Sequence, residues 1–273
     1  MSSLNIETIL LELEDSKSDS LKVLTSVESI HTALQALTAN PNLADEYRKI
    51  SIPMIYSSWE SQFTSSIALC FRALKDIDKS ACDHTPNIRA VWLQQANFFV
   101  SYIDMIKNIY DIDAHKTLSE KMSNMKKKVK KGHYKLTTDV LSSIDTFNST
   151  RLDTDVNVDD LVMTFSNVNK VVTEMNMDVL GIDHSNLDLS KLDALVGLRN
   201  AFGHGQFTSR VGARQFNDWL TYTRTLIEEL FQEIKSWLEE LNVSLCEAKK
   251  ESWRVKGYSC AHEFSDYEYK EAP

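Results

Sequence analysis

The chain has 273 residues, 30 Lys+Arg against 39 Asp+Glu, and a formal net charge of −9. A hydrophobic fraction of 42% excludes a disordered chain, because it supplies a substantial core, and 25% charged residues is the ordinary globular level. Seven Gly and four Pro leave few of the turns and bulges that a sandwich or barrel needs, so the composition argues against an all-β fold and favours a helical one.

Residues 4–37 carry Ile6, Ile9, Leu10, Leu13, Leu21, Leu24, Val27, Ile30, Leu34 and Leu37, mostly three or four apart. This spacing predicts an amphipathic helix, with an interruption near the Ser/Asp cluster at 15–20. Pro41 is expected to end it and Pro53 to open the next helix, since proline fits the first helical turn. From there Ile55, Trp59, Phe63, Ile67 and Phe71 recur every four residues, with Leu74 following, and line one side of that helix.

After Pro86, a segment through Val91, Trp92, Phe98, Phe99, Tyr102, Ile103, Ile106 and Ile109 is apolar over much of its circumference and predicts a largely buried third helix. Residues 115–131 are polar and end in Lys126, Lys127, Lys128, Lys130 and Lys131, closed by Gly132. Residues 137–160, rich in Ser, Thr, Asp and Asn, read as a long loop or irregular insert. Asp159–Asn176 reads as a shorter helix stopped at Gly181.

Leu189, Leu192, Leu195, Val196 and Leu198 lead into Arg199, and Gly203 and Gly205 then break the pattern. A long final helix follows, with Phe216, Trp219, Leu220, Leu226, Ile227, Leu230, Phe231, Ile234, Trp237, Leu238 and Leu241 on one face. The tail from about 252 to 273 has no periodicity and is expected to be loosely ordered. The division that follows is an N-terminal amphipathic region at 1–50, a helical domain at 51–250 and a tail at 251–273.

Cys70, Cys82, Cys246 and Cys260 include no C-x-x-C pair and read as free thiols in a reducing compartment. Residues 1–20 carry Glu7, Glu12, Glu14, Asp15 and Asp19 without a basic start, so no secretory signal is expected. No apolar run approaches the ~18 residues of a membrane span. A cytoplasmic protein is the expectation, and the N-x-S/T triplets at Asn148 and Asn242 are then chance matches. The acidic balance argues against nucleic acid coating the whole surface, while a local basic patch remains compatible with RNA.

Phosphate loops, dinucleotide fingerprints, H-E-x-x-H and G-x-S-x-G are all absent. Cys82-Asp-His84 and Cys260-Ala-His262 each lack the second ligand pair of a tetrahedral metal site, so neither a metal nor a cofactor is expected. Leu198-Arg199-Asn200-Ala201-Phe202-Gly203-His204-Gly205 is different in kind. A permanent cation, an amide and an imidazole lie within six residues where an apolar helix meets two glycines. On a regular helix Arg199 and His204 diverge by roughly 140°, so their convergence requires the backbone to bend or end near Gly203. The alternative is a capping role, with His204 on the helix's own terminal carbonyls.

Arg199-Asn200-Ala201-Phe202-Gly203-His204 resembles the R-x4-6-H motif of the HEPN superfamily, in which a polar residue, often Asn, follows the Arg. Tyr56-Ser57-Ser58-Trp59-Glu60 resembles the Y-x-x-x-E start of an early helix in the branch that includes RiboL-PSP-type proteins. Phe165-Ser166-Asn167-Val168-Asn169 through Leu180-Gly181-Ile182-Asp183 is similar to that branch's short helix before the motif-bearing one.

The resemblance implies an all-α HEPN-like helical bundle, here with an irregular polar insert and a long C-terminal helix. It further implies a metal-independent endoribonuclease acting on single-stranded RNA, as a toxin or antiviral defence effector, from a homodimer whose two motifs share one cleft. Arg199, Asn200 and His204 carry over as the catalytic set, and Glu60 matches the early-helix glutamate. An antitoxin or defence partner is implied as well. Gln206 stands where family toxins silenced by adenylylation have Tyr, which puts that mode of control in doubt.

The residue types suit the chemistry. His moves protons near neutral pH and Arg offers a charged donor fork to phosphate. The lysine run 126–131 reads either as a track for RNA phosphates or as a solvated helix end. Glu60 flanks the apolar stripe and needs a partner there, with Arg199 the first candidate and backbone or tyrosine donors the other. A catalytically silent interaction or RNA-binding module is the alternative function.

Overall fold

The computed structural model describes residues 6–37, 41–77, 79–95, 99–103, 129–152, 155–205 and 210–255, and of 37, 41, 129–137 and 244–255 only the backbone path. The described residues form helices α1 (Ile6–Leu37), α2 (Pro41–Asp76), α3 (Pro86–Gln95), α4 (Val129–Ser149), α5 (Lys170–Leu180), α6 (Leu192–Gly203) and α7 (Ala213–Val255). Short 3-10 turns lie at Ala81–Asp83 and Val158–Leu161, and no strand occurs among the described residues.

Helix α2 is the axis of the bundle, packed against α1, α5, α6 and α7, while α1 also packs on α7. The four-residue stripe explains this position. Ile55, Trp59, Phe63, Ile67 and Phe71 are fully buried, and α7 answers with Phe216, Ile227, Leu230, Ile234 and Leu238, all buried. At 1.5–3 kcal/mol for each large apolar side chain removed from water, this seam is the main source of stability. Removing one ring, as in Phe63→Ala, is expected to cost about 3–5 kcal/mol. Polar rivets fix the register of α1 on α2: Ser16 Oγ donates to Gln62 Oε1 at 3.1 Å, and Gln62 Nε2 donates to Ser66 Oγ at 2.9 Å.

Several expectations are corrected. Helix α1 runs through 15–20 without interruption. Pro41, not Pro53, opens the second helix, and Pro53 lies inside it. Burial of Ala44, Arg48 and Ile52 on the turns before Pro53 offsets the backbone bond the proline removes. The 137–160 insert is helical as far as Ser149, in α4. Its hydroxyls bond back to their own helix, Ser143 Oγ to Asp139 O at 2.8 Å and Thr146 Oγ1 to Ser142 O at 2.9 Å, so a polar sequence is accommodated.

Helix α5 starts at Lys170 rather than Asp159, capped by Asn169, whose Oδ1 accepts the Val172 N–H at 2.9 Å. It stops at Gly181, with φ +71°, as expected. The predicted third helix is buried at Ile88 and Trp92, but Val100 and Ile103 are exposed. Phe98, Ile106, Ile109, Lys126, Lys127, Lys128, Gln206, Cys260 and His262 lie outside the described residues. The backbone of Lys130 and Lys131 falls in the first turn of α4. No helix among the described residues is long and apolar enough to cross a membrane.

Candidate active site

The stretch 163–169 crosses from the 3-10 turn to α5 over the face of α2 and is held on both sides. Trp59 Nε1 donates to Val168 O at 3.2 Å, and the Val168 N–H donates to the Tyr56 hydroxyl at 2.7 Å. The upstream end is secured by Asn176, buried in α5. Its Oδ1 accepts the Met163 N–H at 3.0 Å and its Nδ2 donates to Met163 O at 2.8 Å. One side-chain amide thus replaces the ladder partner that an extended segment would otherwise lack.

Arg199, half-buried near the end of α6, faces this stretch. Its Nη1 donates to Asn167 Oδ1 at 3.4 Å and to Asn200 Oδ1 at 3.0 Å. The guanidinium carbon lies 5.4 Å from the centroid of the Tyr56 ring, within cation–π range. Tyr56 in turn donates its hydroxyl proton to Glu60 Oε1 at 3.0 Å. Burial pushes the Tyr56 phenol well above its ordinary pKa, with the Glu60 carboxylate adding to the rise and the Val168 N–H and Arg199 opposing it. The phenol therefore stays protonated and keeps both of its hydrogen bonds.

Glu60 consequently reaches Arg199 through Tyr56, not directly. Among the described residues no Glu60–Arg199 ion pair forms, and the tyrosine donor of the alternative reading takes that place. Across the aromatic ring the carboxylate and guanidinium are connected by one hydrogen bond and one cation–π contact.

The His204 ring makes no hydrogen bond to this cluster. Helix α6 ends at Gly203, and the His204 N–H donates to Asn200 O at 3.0 Å. Gly205 follows with φ +66°, a left-handed conformation that glycine adopts without a Cβ penalty. The helix thus ends where the two glycines said it should. The exposed imidazole makes no hydrogen bond to a described residue, and the terminal carbonyl is satisfied by the His204 backbone rather than by its ring.

Past residues 206–209 the chain is fixed again at the α1–α2 corner. Buried Arg48 donates through Nε to Val211 O at 2.7 Å and through Nη1 to His31 Nε2 at 3.1 Å. Asp45 bridges Arg48 and Arg210. His31 packs its ring 4.5 Å from that of Phe216. Burial first, then the Arg48 charge, lowers the His31 pKa, so the ring is the neutral acceptor that Arg48 requires. Arg210 foremost, with Arg48, holds the Asp45 carboxyl below the usual range.

The structure thus brings Arg199, Asn200, Asn167, Tyr56 and Glu60 together by side-chain contacts, and joins His204 to Asn200 through the backbone alone. The role of Asn167 as an acceptor for Arg199 and the Asp45–Arg48–Arg210 anchor were not read from the sequence. Asp45 and Arg48 at i, i+3 were the available signal for the second. Cys82 and His84 form no metal cluster: the described residues contain no group of three or more His, Cys, Asp or Glu placed to hold an ion.

The residues of the cluster fall in the order early helix, turn, short helix, motif helix, and a model of the RiboL-PSP-HEPN family matches residues 18–236, well over half of the chain. The chain belongs to the RiboL-PSP-HEPN family. HEPN domains are all-α and in general ribonucleases, some of them inactive, so the family is an RNA-related one. Neither a curated protein nor a solved structure matches this HEPN chain. The matched span contains Tyr56, Glu60, Asn167, Arg199, Asn200 and His204, and the Asp45–Arg48–Arg210 anchor as well.

Proposed function

We propose that this HEPN protein is a metal-independent endoribonuclease that cleaves single-stranded RNA by attack of its own 2′-hydroxyl, and that it serves in the cytoplasm as a toxin or antiviral defence effector. The observation that supports this reading is the seating of Arg199. Two amide oxygens and an aromatic face hold Nη1 and the guanidinium plane, while Nη2 and Nε make no hydrogen bond to a described residue. A charged donor fork fixed on one edge and open on the other suits a phosphodiester.

In the reaction a base takes the 2′-hydroxyl proton and the oxygen attacks the adjacent phosphorus. An acid then gives a proton to the departing 5′-oxygen. The products are a 2′,3′-cyclic phosphate and a free 5′-hydroxyl, so no atom is needed from a cofactor. Arg199 stabilises the charge that builds on the phosphoryl oxygens, and His204 carries a proton. One motif has one imidazole, and a second copy of the chain related by two-fold symmetry supplies the other. Asn200 orients Arg199, and Glu60 acts through Tyr56. The lysines 126–131 extend the path of the RNA phosphates. An antitoxin or defence partner would control the enzyme.

Cleavage of a single-stranded RNA in EDTA by wild type, Arg199→Ala and His204→Ala tests this reading. Loss of cleavage in both variants is expected, and equal cleavage by all three proteins would remove the motif as the active site. A second reading, a catalytically silent RNA-binding or interaction module, is favoured by the lack of any hydrogen bond between the His204 ring and the Arg199 cluster within one chain. It predicts RNA binding with no cleavage by the wild type.

A further inference from the structure

The turn beside Arg199 carries a feature that the cleavage chemistry does not use. Thr164, Phe165, Ser166 and Asn167 form a tight turn closed by the Asn167 N–H on Thr164 O at 2.9 Å. Its two central residues have φ +43° (Phe165) and +74° (Ser166), the only non-glycine residues with positive φ among those described. This is the φ signature of the turn that Asn-Gly normally fills, and a bulky residue placed there is strained. Such strain persists only where the surroundings over-determine it. Here they do: Asn176 holds Met163 just before the turn, and Tyr56 and Trp59 hold Val168 just after it.

The strained residue gains nothing inside the chain. Phe165 is 67% exposed, the most exposed of the large apolar side chains described. Its turn neighbours are polar, and Asn167, two residues on, touches the Arg199 guanidinium. An exposed aromatic ring on a turn whose Asn167 bonds a cation, set among polar groups, has the composition of a nucleotide contact: the cation takes the phosphate and the ring takes the base. Val171 and Met175 are exposed on α5 nearby in sequence, so a second copy of the chain is the rival occupant.

We propose that Phe165 is a stacking platform for an unpaired nucleobase of the RNA whose phosphate is bound at Arg199. This rests on the ribonuclease reading above and adds to it a requirement for an unstacked base beside the scissile bond. A flat π face is needed, not merely apolar surface, which separates the two occupants. Leu in place of Phe165 preserves an apolar protein contact but cannot stack.

The test uses the full-length protein and a fluorescent single-stranded oligoribonucleotide, with binding followed by anisotropy in the His204→Ala background so that the RNA stays intact. Phe165→Gly and Phe165→Leu are each expected to weaken binding by about 5- to 50-fold, and Phe165→Trp to keep it. Phe165→Gly should at the same time melt no lower than its parent, because glycine relieves the positive φ, so a folding defect cannot mimic the result. Equal binding by all four proteins overturns the platform and leaves the ribonuclease reading standing. A parent that binds no RNA, with a wild type that cuts none, overturns both. A Phe165→Gly protein that dissociates to monomer in sedimentation, with Phe165→Leu still dimeric, assigns the ring to the second copy and overturns the platform.

Discussion

The two ends of the motif are built on opposite principles. Arg199 is half-buried, its Nη1 shared between two amides and its plane against Tyr56, so its orientation is settled before any ligand arrives. His204, five residues on, is exposed beyond the end of its helix with no hydrogen bond to a described residue. The difference teaches that, in the proposed ribonuclease, one chain pre-organises the cation and leaves the imidazole free of its own hydrogen bonds. A donor that must already be aimed gains most from a rigid seat. An imidazole that, as proposed, meets its counterpart from a second copy would have to be left untied by its own chain.

The sharpest attack on this contrast is on the two residues themselves. Arg199→Ala and His204→Ala should each lower kcat by about 10²- to 10⁴-fold in a gel cleavage assay, with little change in melting temperature for His204→Ala. Dilution to a proven monomer should abolish cleavage, and activity per protomer that holds constant through dissociation would refute the shared site.

Next in size is the anchor beyond the motif. Arg48→Ala leaves buried Asp45 with only Arg210 and strips Val211 O and His31 of their donor. A lower midpoint in denaturant unfolding is expected. An unchanged midpoint would show that the corner is not the seat described here.

Tyr56→Phe is a milder test of the rigid end. It keeps the ring under Arg199 but leaves the buried Val168 N–H without an acceptor, a cost of about 1–3 kcal/mol. Because Glu60 also loses its donor, kcat should fall more than KM rises, whereas Glu60→Gln, which retains an acceptor for the phenol, should lose less. A Glu60→Gln enzyme as impaired as Arg199→Ala would mean that the carboxylate acts directly.

The smallest effect is in pH dependence. His31 and His84 both have pKa values lowered by burial from an ordinary value of 6.5. As pH falls below about 6.5 the unfolded chain takes up protons that the native chain refuses, so stability declines. It stops declining once the native pKa is passed. Denaturant midpoints should therefore drop between pH 7.5 and pH 5.5, and His31→Gln should remove part of that slope. Asp45 works in the same direction at lower pH: its depressed pKa makes its contribution present above the ordinary carboxyl range and lost as pH falls through that range toward the native pKa.

Much of this was legible in the sequence wherever one residue's environment repeats down a helix. Ile55, Trp59, Phe63, Ile67 and Phe71 announce α2 by spacing alone, and every one is buried. Gly203 and Gly205 announce the end of α6 in the same direct way. Pro53 misled because the local rule for proline was outvoted by the core contacts of the turns before it. Helix α4 was missed because its inward face is narrow, with Phe147 buried and Val140 and Ile144 only partly so. At the site, the polar identities of Arg199, Asn200 and His204 stood out from an apolar run. Their partners did not, because Asn167 to Arg199 and Asp45 to Arg210 are long-range pairings that no periodicity encodes.

Helix α2 carries both fixtures, Asp45 and Arg48 for the chain after the motif, and Tyr56 and Glu60 for the chain at it. It is therefore a ruler. Arg48 and Tyr56 are eight residues apart, about 12 Å along the axis, and that interval meters where the motif helix is seated relative to where the following chain is caught. Deleting one residue between them would advance one fixture by about 1.5 Å and swing it by about 100° around the rod. Both fixtures would remain chemically intact and could no longer hold the same molecule. Substitutions at the exposed positions of this interval, Ile50 and Met54, are thus expected to be tolerated far better than changes in the number of residues between the fixtures.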